Sequence, residues 1–156
     1  MSKHYSFPIT EEISWISSRN IKVKRLNCKK VTVEVAVKIA SIGRYLHELH
    51  IADFHIVDIE MTIIISRCPN LKRLVLKEIE KYDGEGCQKL TDTSLIKLAE
   101  IYHSLEVLYI TSNHISTDVG INKLGVGCPG IRRLYLSDLG QVTDIGMITL
   151  IENYPN

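Results

Sequence analysis

The sequence predicts an α/β fold, an arc of about five repeated units with short parallel strands on its concave face and helices on its convex face. Three observations predict it. An apolar hexapeptide pattern recurs along the 156 residues. An apolar pair at helical spacing precedes each copy, and similar polar turns lie between them. Because this length suits one domain, we expect a single domain over residues 1–156.

The strands are predicted by the pattern L-x-x-L-x-L. Its clearest copies begin at Leu71, Leu105 and Ile131, and two further copies begin at Val23 and Leu46. Apolar residues at such spacing, bounded by turn signals, are typical of buried strands. The predicted strands lie near residues 23–28, 46–51, 71–76, 105–110 and 131–136.

The helices are predicted by a second apolar pair, which lies ten and seven residues before each strand. The i, i+3 spacing puts both members of a pair on one helix face. The first pair leads us to expect an N-terminal capping helix over residues 10–18, in which Trp15 helps to cover the first unit. The pairs are Ile13/Ile16, Ala36/Ile39, Met61/Ile64, Leu95/Leu98, Ile121/Leu124 and Met147/Leu150.

Polar turns separate strands from helices. Thr-Asp steps precede three of the helix pairs, and Asp58 occupies the same place in another unit. Both side chains accept hydrogen bonds from the free N–H groups of a first helical turn, so we expect both to act as caps. Proline ends the helices in Cys68-Pro69-Asn70 and Cys128-Pro129-Gly130. The Thr-Asp steps are Thr91-Asp92, Thr117-Asp118 and Thr143-Asp144.

Residues 10–156 resemble the cysteine-containing leucine-rich repeats, most closely in residues 66–76 and 90–99. The resemblance implies a leucine-rich-repeat solenoid. The sequence is similar to the repeat half of F-box/LRR receptors, which recognise substrates for SCF ubiquitin ligases. It is also similar to F-box-less relatives of the antagonist-of-mitotic-exit type. Residues 1–22, before the first strand, are too few for an F-box. A ligase link is therefore expected only through a longer parent or a partner.

The third and fifth residues of each strand are directed away from the core by strand alternation. We interpret them as a partner-binding concave face with Tyr and Arg anchors, and the alternative is an ordinary solvated sheet face. The implied function is non-enzymatic protein–protein interaction. The residues are Arg25, Asn27, Glu48, His50, Arg73, Val75, Val107, Tyr109, Arg133 and Tyr135.

Charge narrows the class of partner. Basic residues outnumber acidic ones near the strands, which favours an acidic or phosphorylated protein partner, or serves solubility alone. The net charge of +1 and the lack of a nucleic-acid motif argue against nucleic acid. No apolar segment has the length of a membrane span or a signal peptide, so we expect neither a membrane nor export.

One unit carries an insertion near residues 80–89, where the chain from Leu76 to Leu95 is longer than its counterparts. Insertions in repeat proteins often lie at the binding face, which makes Tyr82, Asp83 and Glu85 further candidates. A tolerated surface insertion is the alternative.

Cysteine and histidine usage predicts no chemistry. The four cysteines include no C-x-x-C pair, which favours a cytoplasmic or nuclear protein. Cys28, Cys68 and Cys128 are expected to pack as small hydrophobes, and Cys87 is the candidate exposed thiol. No Cys/His cluster or catalytic motif appears, so we expect no catalytic residues, metal, cofactor or enzyme activity.

The last unit predicts an uncovered end. Each unit of a repeat protein buries its apolar face only against its neighbours. The pair Met147/Leu150 points to a strand start at residue 157, beyond Asn156. Either the last helix closes the stack, or the chain is a fragment, or another chain covers the end. The second functional hypothesis follows: a structural or assembly subunit that docks through its open C-terminal end.

Overall fold

A computed structural model of the protein describes residues 22–52, 56–77, 89–111, 113 and 115–154. Strands and helices alternate strictly in these residues, which confirms the α/β class. The predicted capping helix over 10–18 and residues 80–88 of the insertion lie outside the described residues. The elements are β1 Arg25–Cys28, α1 Val33–Ile42, β2 Glu48–Ile51, α2 Asp58–Arg67, β3 Arg73–Leu76, α3 Asp92–Ile101, β4 Val107–Thr111, α4 Asp118–Gly127, β5 Arg133–Ser137 and α5 Asp144–Glu152, with a 3₁₀ turn at Gly43–Tyr45.

The five strands form one parallel sheet in the order β1-β2-β3-β4-β5. The fourth residues of the repeated hexapeptides are partners across all four strand pairs. Consecutive helices pack against one another in the same order. Each connection between neighbouring parallel strands is thus a helix, as parallel pairing requires. The aligned residues are Leu26, Leu49, Leu74, Leu108 and Leu134.

The strands begin two residues later than the hexapeptide pattern predicts. From the second hexapeptide onward the leading residue is buried in the core, but its N–H closes a turn instead of a sheet ladder. Leu71 donates to the carbonyl of Cys68 at 3.2 Å, and Leu105 donates to Tyr102 at 3.1 Å. The apolar pattern therefore marks where the core begins, and the backbone hydrogen bonds mark where the strand begins.

The core is built from the strand leucines and the helix pairs. In the middle units these residues are fully buried, as Leu49, Leu74, Leu98 and Leu108 are. At the two ends of the described sheet the equivalent residues are only partly buried, because a described unit covers them on one side only. These partly buried residues are Val23, Leu26, Leu134, Leu136 and Met147.

The cysteine prediction is confirmed for three residues. Cys28, Cys68 and Cys128 are buried in this core. Burial disfavours the thiolate and raises the pKa of both Cys68 and Cys128 to about 12. Cys87 lies outside the described residues. Within the described part, no helix combines the length and apolar character needed to cross a bilayer.

Candidate functional site

The sheet register brings the ten predicted face residues into two rows, which we call the open sheet face. Each row takes one residue from every strand, so neighbours within a row are about 4.8 Å apart. The first row is Arg25, Glu48, Arg73, Val107 and Arg133. The second row is Asn27, His50, Val75, Tyr109 and Tyr135.

The β1–β2 side of the open sheet face holds a two-pronged ion pair. Nε of Arg25 lies 2.7 Å from Oε2 of Glu48, and the terminal guanidinium nitrogen donates to Oε1 at 2.9 Å. Hydrogen bonding to the Glu48 carboxylate raises the pKa of Arg25. The fork geometry matches guanidinium to carboxylate, so the two charges cancel locally.

The β3–β5 side presents stacked aromatic rings. The ring centroids of Tyr109 and Tyr135 are 3.9 Å apart with an interplanar angle of 14°. The guanidinium carbon of Arg73 lies 5.7 Å from the centroid of the Tyr109 ring, within cation–π range. Hydrogen bonding to Tyr135 raises the pKa of Tyr109. Tyr135 remains 46% exposed, so an aromatic surface is open to a partner.

Two positive charges flank this stack, and neither forms an ion pair within the described part of the chain. Among the described residues the side-chain ion pairs involve Arg25, Lys38, Lys72 and Lys97, and neither Arg73 nor Arg133 belongs to one. In the first row only Val107 separates the two arginines. The β3–β5 side therefore combines guanidinium groups that form no ion pair among the described residues with exposed aromatic area, which suits an anionic partner.

Two residues of the second row, Val75 and His50, are less exposed than strand alternation predicts. Val75 is only 8% exposed, so its side chain offers little contact area. Its row neighbours are the larger rings of His50 and Tyr109. His50 is half-buried, and its Nε2 has no hydrogen-bond partner among the described residues. Burial, together with the charge of Arg73, lowers the pKa of His50, so the ring is neutral at pH 7.

The insertion candidates Tyr82, Asp83 and Glu85 lie outside the described residues.

Strand alternation was enough to identify the ten face residues, because the side-chain period of two is rigid. It could not show which of them pair with one another, since the partners come from strands more than twenty residues apart.

The predicted role of the Thr-Asp steps is half right. Each threonine is the N-cap, and Oγ1 of Thr91 accepts from the N–H of Thr93 at 3.2 Å. Each aspartate instead is the first residue of its helix, and Asp92 and Asp118 bond to the next unit. Oδ1 of Asp92 accepts from the N–H of Thr117 at 2.8 Å, and Oδ2 accepts from its hydroxyl at 2.6 Å.

The same two hydrogen bonds join Asp58 to Thr91 and Asp118 to Thr143, and we call the three pairs the Asp–Thr ladder. The bonds from Thr143 hold the pKa of Asp118 below its usual range. Free-standing caps would have stabilised each helix alone. The ladder ties successive units together at one edge of the helices.

The ladder requires a small residue at the third helical position. There the Ser94 hydroxyl donates to Oδ1 of Asp58 at 2.6 Å. A Cβ at Gly120 or Gly146 would collide with the carboxylate of the preceding unit. The sequence signal for this ladder is Thr-Asp-x-Ser or Thr-Asp-x-Gly, which recurs at residues 91–94, 117–120 and 143–146.

An apolar groove opens beyond β5 and α5, and we call it the C-terminal end face. Its volume is about 300 Å³. Ile151 of α5 is 63% exposed within it. The groove is lined by Ile131, Arg132, Leu134, Leu136, Met147, Leu150, Ile151 and Tyr154.

The described residues contain no group of three or more His, Cys, Asp or Glu side chains placed to hold a metal ion. The raised pKa of the buried Cys68 and Cys128 thiols makes them poor nucleophiles. No protein-family model matches the chain, and no curated protein matches it.

Proposed function

We propose that this chain is a leucine-rich-repeat solenoid of about five repeats and a non-enzymatic protein–protein interaction module. In this proposal the open sheet face is the concave face, and the partner lies across it. The in-order parallel sheet and the repeated strand–helix unit support the fold assignment. The cysteine-containing repeat pattern supports the family assignment.

One observation carries the binding proposal: Arg73 and Arg133 form no ion pair with a carboxylate of the described residues, and they lie beside an exposed tyrosine stack. Tyr and Arg are the residue types in which interface binding energy is concentrated. The partner is therefore an acidic or phosphorylated segment. Its anionic group pairs with the guanidinium groups, and an apolar or aromatic side chain of the partner packs on Tyr135.

A ubiquitin-ligase role is the more specific form of this proposal. The chain would recognise a substrate for an SCF-type ligase in the cytoplasm or nucleus, through a longer parent or a bound partner. The resemblance to the F-box/LRR receptors is its support. Recovery of ligase adaptors together with the protein from native extract would favour this form, and their absence would leave a binding module of another pathway.

A second candidate is an assembly subunit that docks through the C-terminal end face. The partly buried strand residues Leu134 and Leu136, whose counterparts in the middle units are fully buried, favour it.

The binding proposal is tested with a peptide library. Acidic, phosphoserine and phosphotyrosine peptides that also carry an aromatic residue are titrated against the protein. The four variants are Arg73→Ala, Tyr109→Ala, Arg133→Ala and Tyr135→Ala. We expect the best peptide to bind each variant about tenfold more weakly, because each side chain is an anchor.

Arg25→Ala is the matched control. It removes an arginine from the same row whose charge Glu48 already cancels, so we expect affinity within about twofold of the parent protein. If all four anchor variants bind the peptide as the parent does, the open sheet face is not the binding surface.

A further inference from the structure

The C-terminal end face repeats the composition of the faces that are covered inside the molecule. At each internal junction the strand leucines and the helix pair of one unit are covered by the next unit. Leu74, Leu76, Leu108 and Ile110 are completely buried in this way. Their equivalents in β5 are Leu134 and Leu136, which are only partly buried. The C-terminal end face thus has the same kinds of residue, at equivalent positions, as the internal interfaces between units.

A polar feature of the internal junctions recurs at this end. Asp144 is the first residue of α5, as Asp92 is of α3 and Asp118 is of α4. Those two carboxylates each receive two hydrogen bonds from the N-cap threonine of the following unit. No described residue donates to the exposed side chain of Asp144. Asp144 thus occupies the ladder position without a threonine partner among the described residues.

The internal junctions define what fits there. The occupant must bring a strand that pairs in parallel with β5, whose second edge is unpaired among the described strands. It must bring a helix whose N-cap threonine reaches Asp144. Three residues after that threonine it must carry glycine or serine, because a larger side chain there would collide with the carboxylate, as it would at Gly120 and Gly146.

A second copy of this chain does not meet that requirement with its first described unit. The N-cap of α1 is Thr32, but three residues later stands Val35, which is buried. The residues at this position in the three ladder junctions are Ser94, Gly120 and Gly146, and a valine has two methyl groups on Cβ where serine has one hydroxyl that bonds to the carboxylate. The following junction, between α1 and α2, has no ladder, because the N-cap of α2 is Val57. Head-to-tail stacking of identical chains is therefore disfavoured.

The geometry points to a docking site on the C-terminal end face for a partner polypeptide that carries a leucine-rich strand–helix unit. The recognition element is a helix that begins with Thr-x-x-Gly or Thr-x-x-Ser. Its threonine donates two hydrogen bonds to Asp144, and its strand adds to the edge of β5. This site lies on a different surface from the open sheet face and does not depend on it.

The first test uses the intact protein and a peptide that copies residues 105–130, which contain Thr117 and Gly120 at the required spacing. We expect saturable binding that Asp144→Asn weakens about tenfold, because two charge-assisted hydrogen bonds are lost. A peptide carrying Gly120→Val is expected not to bind. The matched control is Asp138→Asn, which alters a nearby exposed carboxylate and is expected to leave affinity unchanged.

A variant with Arg73→Ala separates the two proposals, because it damages the open sheet face and leaves the end face intact. We expect it to bind the 105–130 peptide as the parent protein does. Loss of peptide binding in this variant would mean that the peptide occupies the open sheet face, and it would overturn the end-face site.

The second test removes the entropy cost of folding a free peptide. The 105–130 segment is fused after Asn156, and thermal unfolding is compared for Asp144→Asn, for Thr117→Val in the appended copy, and for both together. We expect the second substitution to cost almost nothing once the first is present, because the two residues share one interaction. Additive losses would overturn the site. If the two substitutions are coupled in the fusion but the free peptide does not bind the intact protein, the end face does not bind a separate partner, and the proposal is overturned.

Discussion

The β1–β2 side and the β3–β5 side of the open sheet face share one scaffold and differ in charge. On the first side Arg25 is held by Glu48 at 2.7 Å. On the second side Arg73 and Arg133 lack a carboxylate among the described residues, and two tyrosines stack beside them. Glu48 is the register neighbour of both Arg25 and Arg73, and its carboxylate pairs with Arg25. Equivalent strand positions thus differ in whether their arginine belongs to an ion pair.

The helix junctions divide the molecule in a similar way. Between α1 and α2 there is no Asp–Thr pair, and the N–H of Val57 is satisfied locally by Glu60 at 3.2 Å. From α2 to α5 every junction carries the ladder. The ladder fixes successive units relative to one another. The units that carry it include β3, β4 and β5, so Arg73 and Arg133 lie on the strands of units that charged hydrogen bonds join.

The largest expected effect is from Gly120→Val, which would give α4 the residue that α1 carries at Val35. The side chain would meet the Asp92 carboxylate and Leu95. We expect a loss of about 3 kcal/mol in the free energy of unfolding, as in other overpacked sites. Urea unfolding measures it, with Val126→Ala on an exposed site of the same helix as control. An unchanged midpoint would show that the junction adapts.

Asp92→Asn and Glu60→Gln compare the contribution of the ladder to stability with that of the local cap between α1 and α2. The carboxylate serves both the N–H and the hydroxyl of Thr117, so its neutralisation should cost about 2 kcal/mol. Glu60→Gln, which changes the single contact to Val57, should cost less than about 1 kcal/mol. Equal losses in urea unfolding would contradict the distinction between the two kinds of junction.

Glu48→Gln should make the first side of the open sheet face resemble the second. It leaves Arg25 without its carboxylate, so a bound acidic peptide gains another cation within reach. We expect affinity for such a peptide to rise about two- to threefold at low salt and to return to the parent value as salt screens the charge. Glu34→Gln, on α1, is the control. A fall in affinity would show that Glu48 itself contacts the partner.

The smallest expected effect concerns His50, which lies at the boundary of the two sides. Burial and Arg73 lower its pKa, and Glu48 opposes them. Arg73→Ala should therefore raise the pKa of His50, and Glu48→Gln should lower it further, as NMR titration of the ring protons would show. Because the folded-state pKa lies below the ordinary value of 6.5, the stability from neutral His50 is lost as pH falls from 6.5 towards the folded-state pKa. A fall of the His50 pKa in Arg73→Ala, or a rise in Glu48→Gln, would refute this account.

The fold was largely readable from the sequence, and the reason is repetition. The pattern recurs, so one unit supports the reading of another: Leu95/Leu98 and Ile121/Leu124 are buried in equivalent places. The errors fell where backbone hydrogen bonding decides. The strand starts were two residues early, because the N–H of Leu71 turns back to Cys68.

The face was readable as a set of positions, but its chemistry was not. Alternation placed Val75 with the exposed residues, and burial between larger neighbours overrides it. The aspartates were read as caps because Thr and Asp have similar cap preferences. Only the spatial neighbour distinguishes them, and that neighbour, Thr117 for Asp92, is 25 residues away.

By itself the sequence determined the α/β class, the order and number of described strands, the buried cysteines and the ten face positions, because these follow from local periodicity. Tertiary structure alone decided which arginine is neutralised, which tyrosines stack and which unit each aspartate joins. Such outcomes depend on contacts between units more than twenty residues apart, and a pattern within one unit does not encode them.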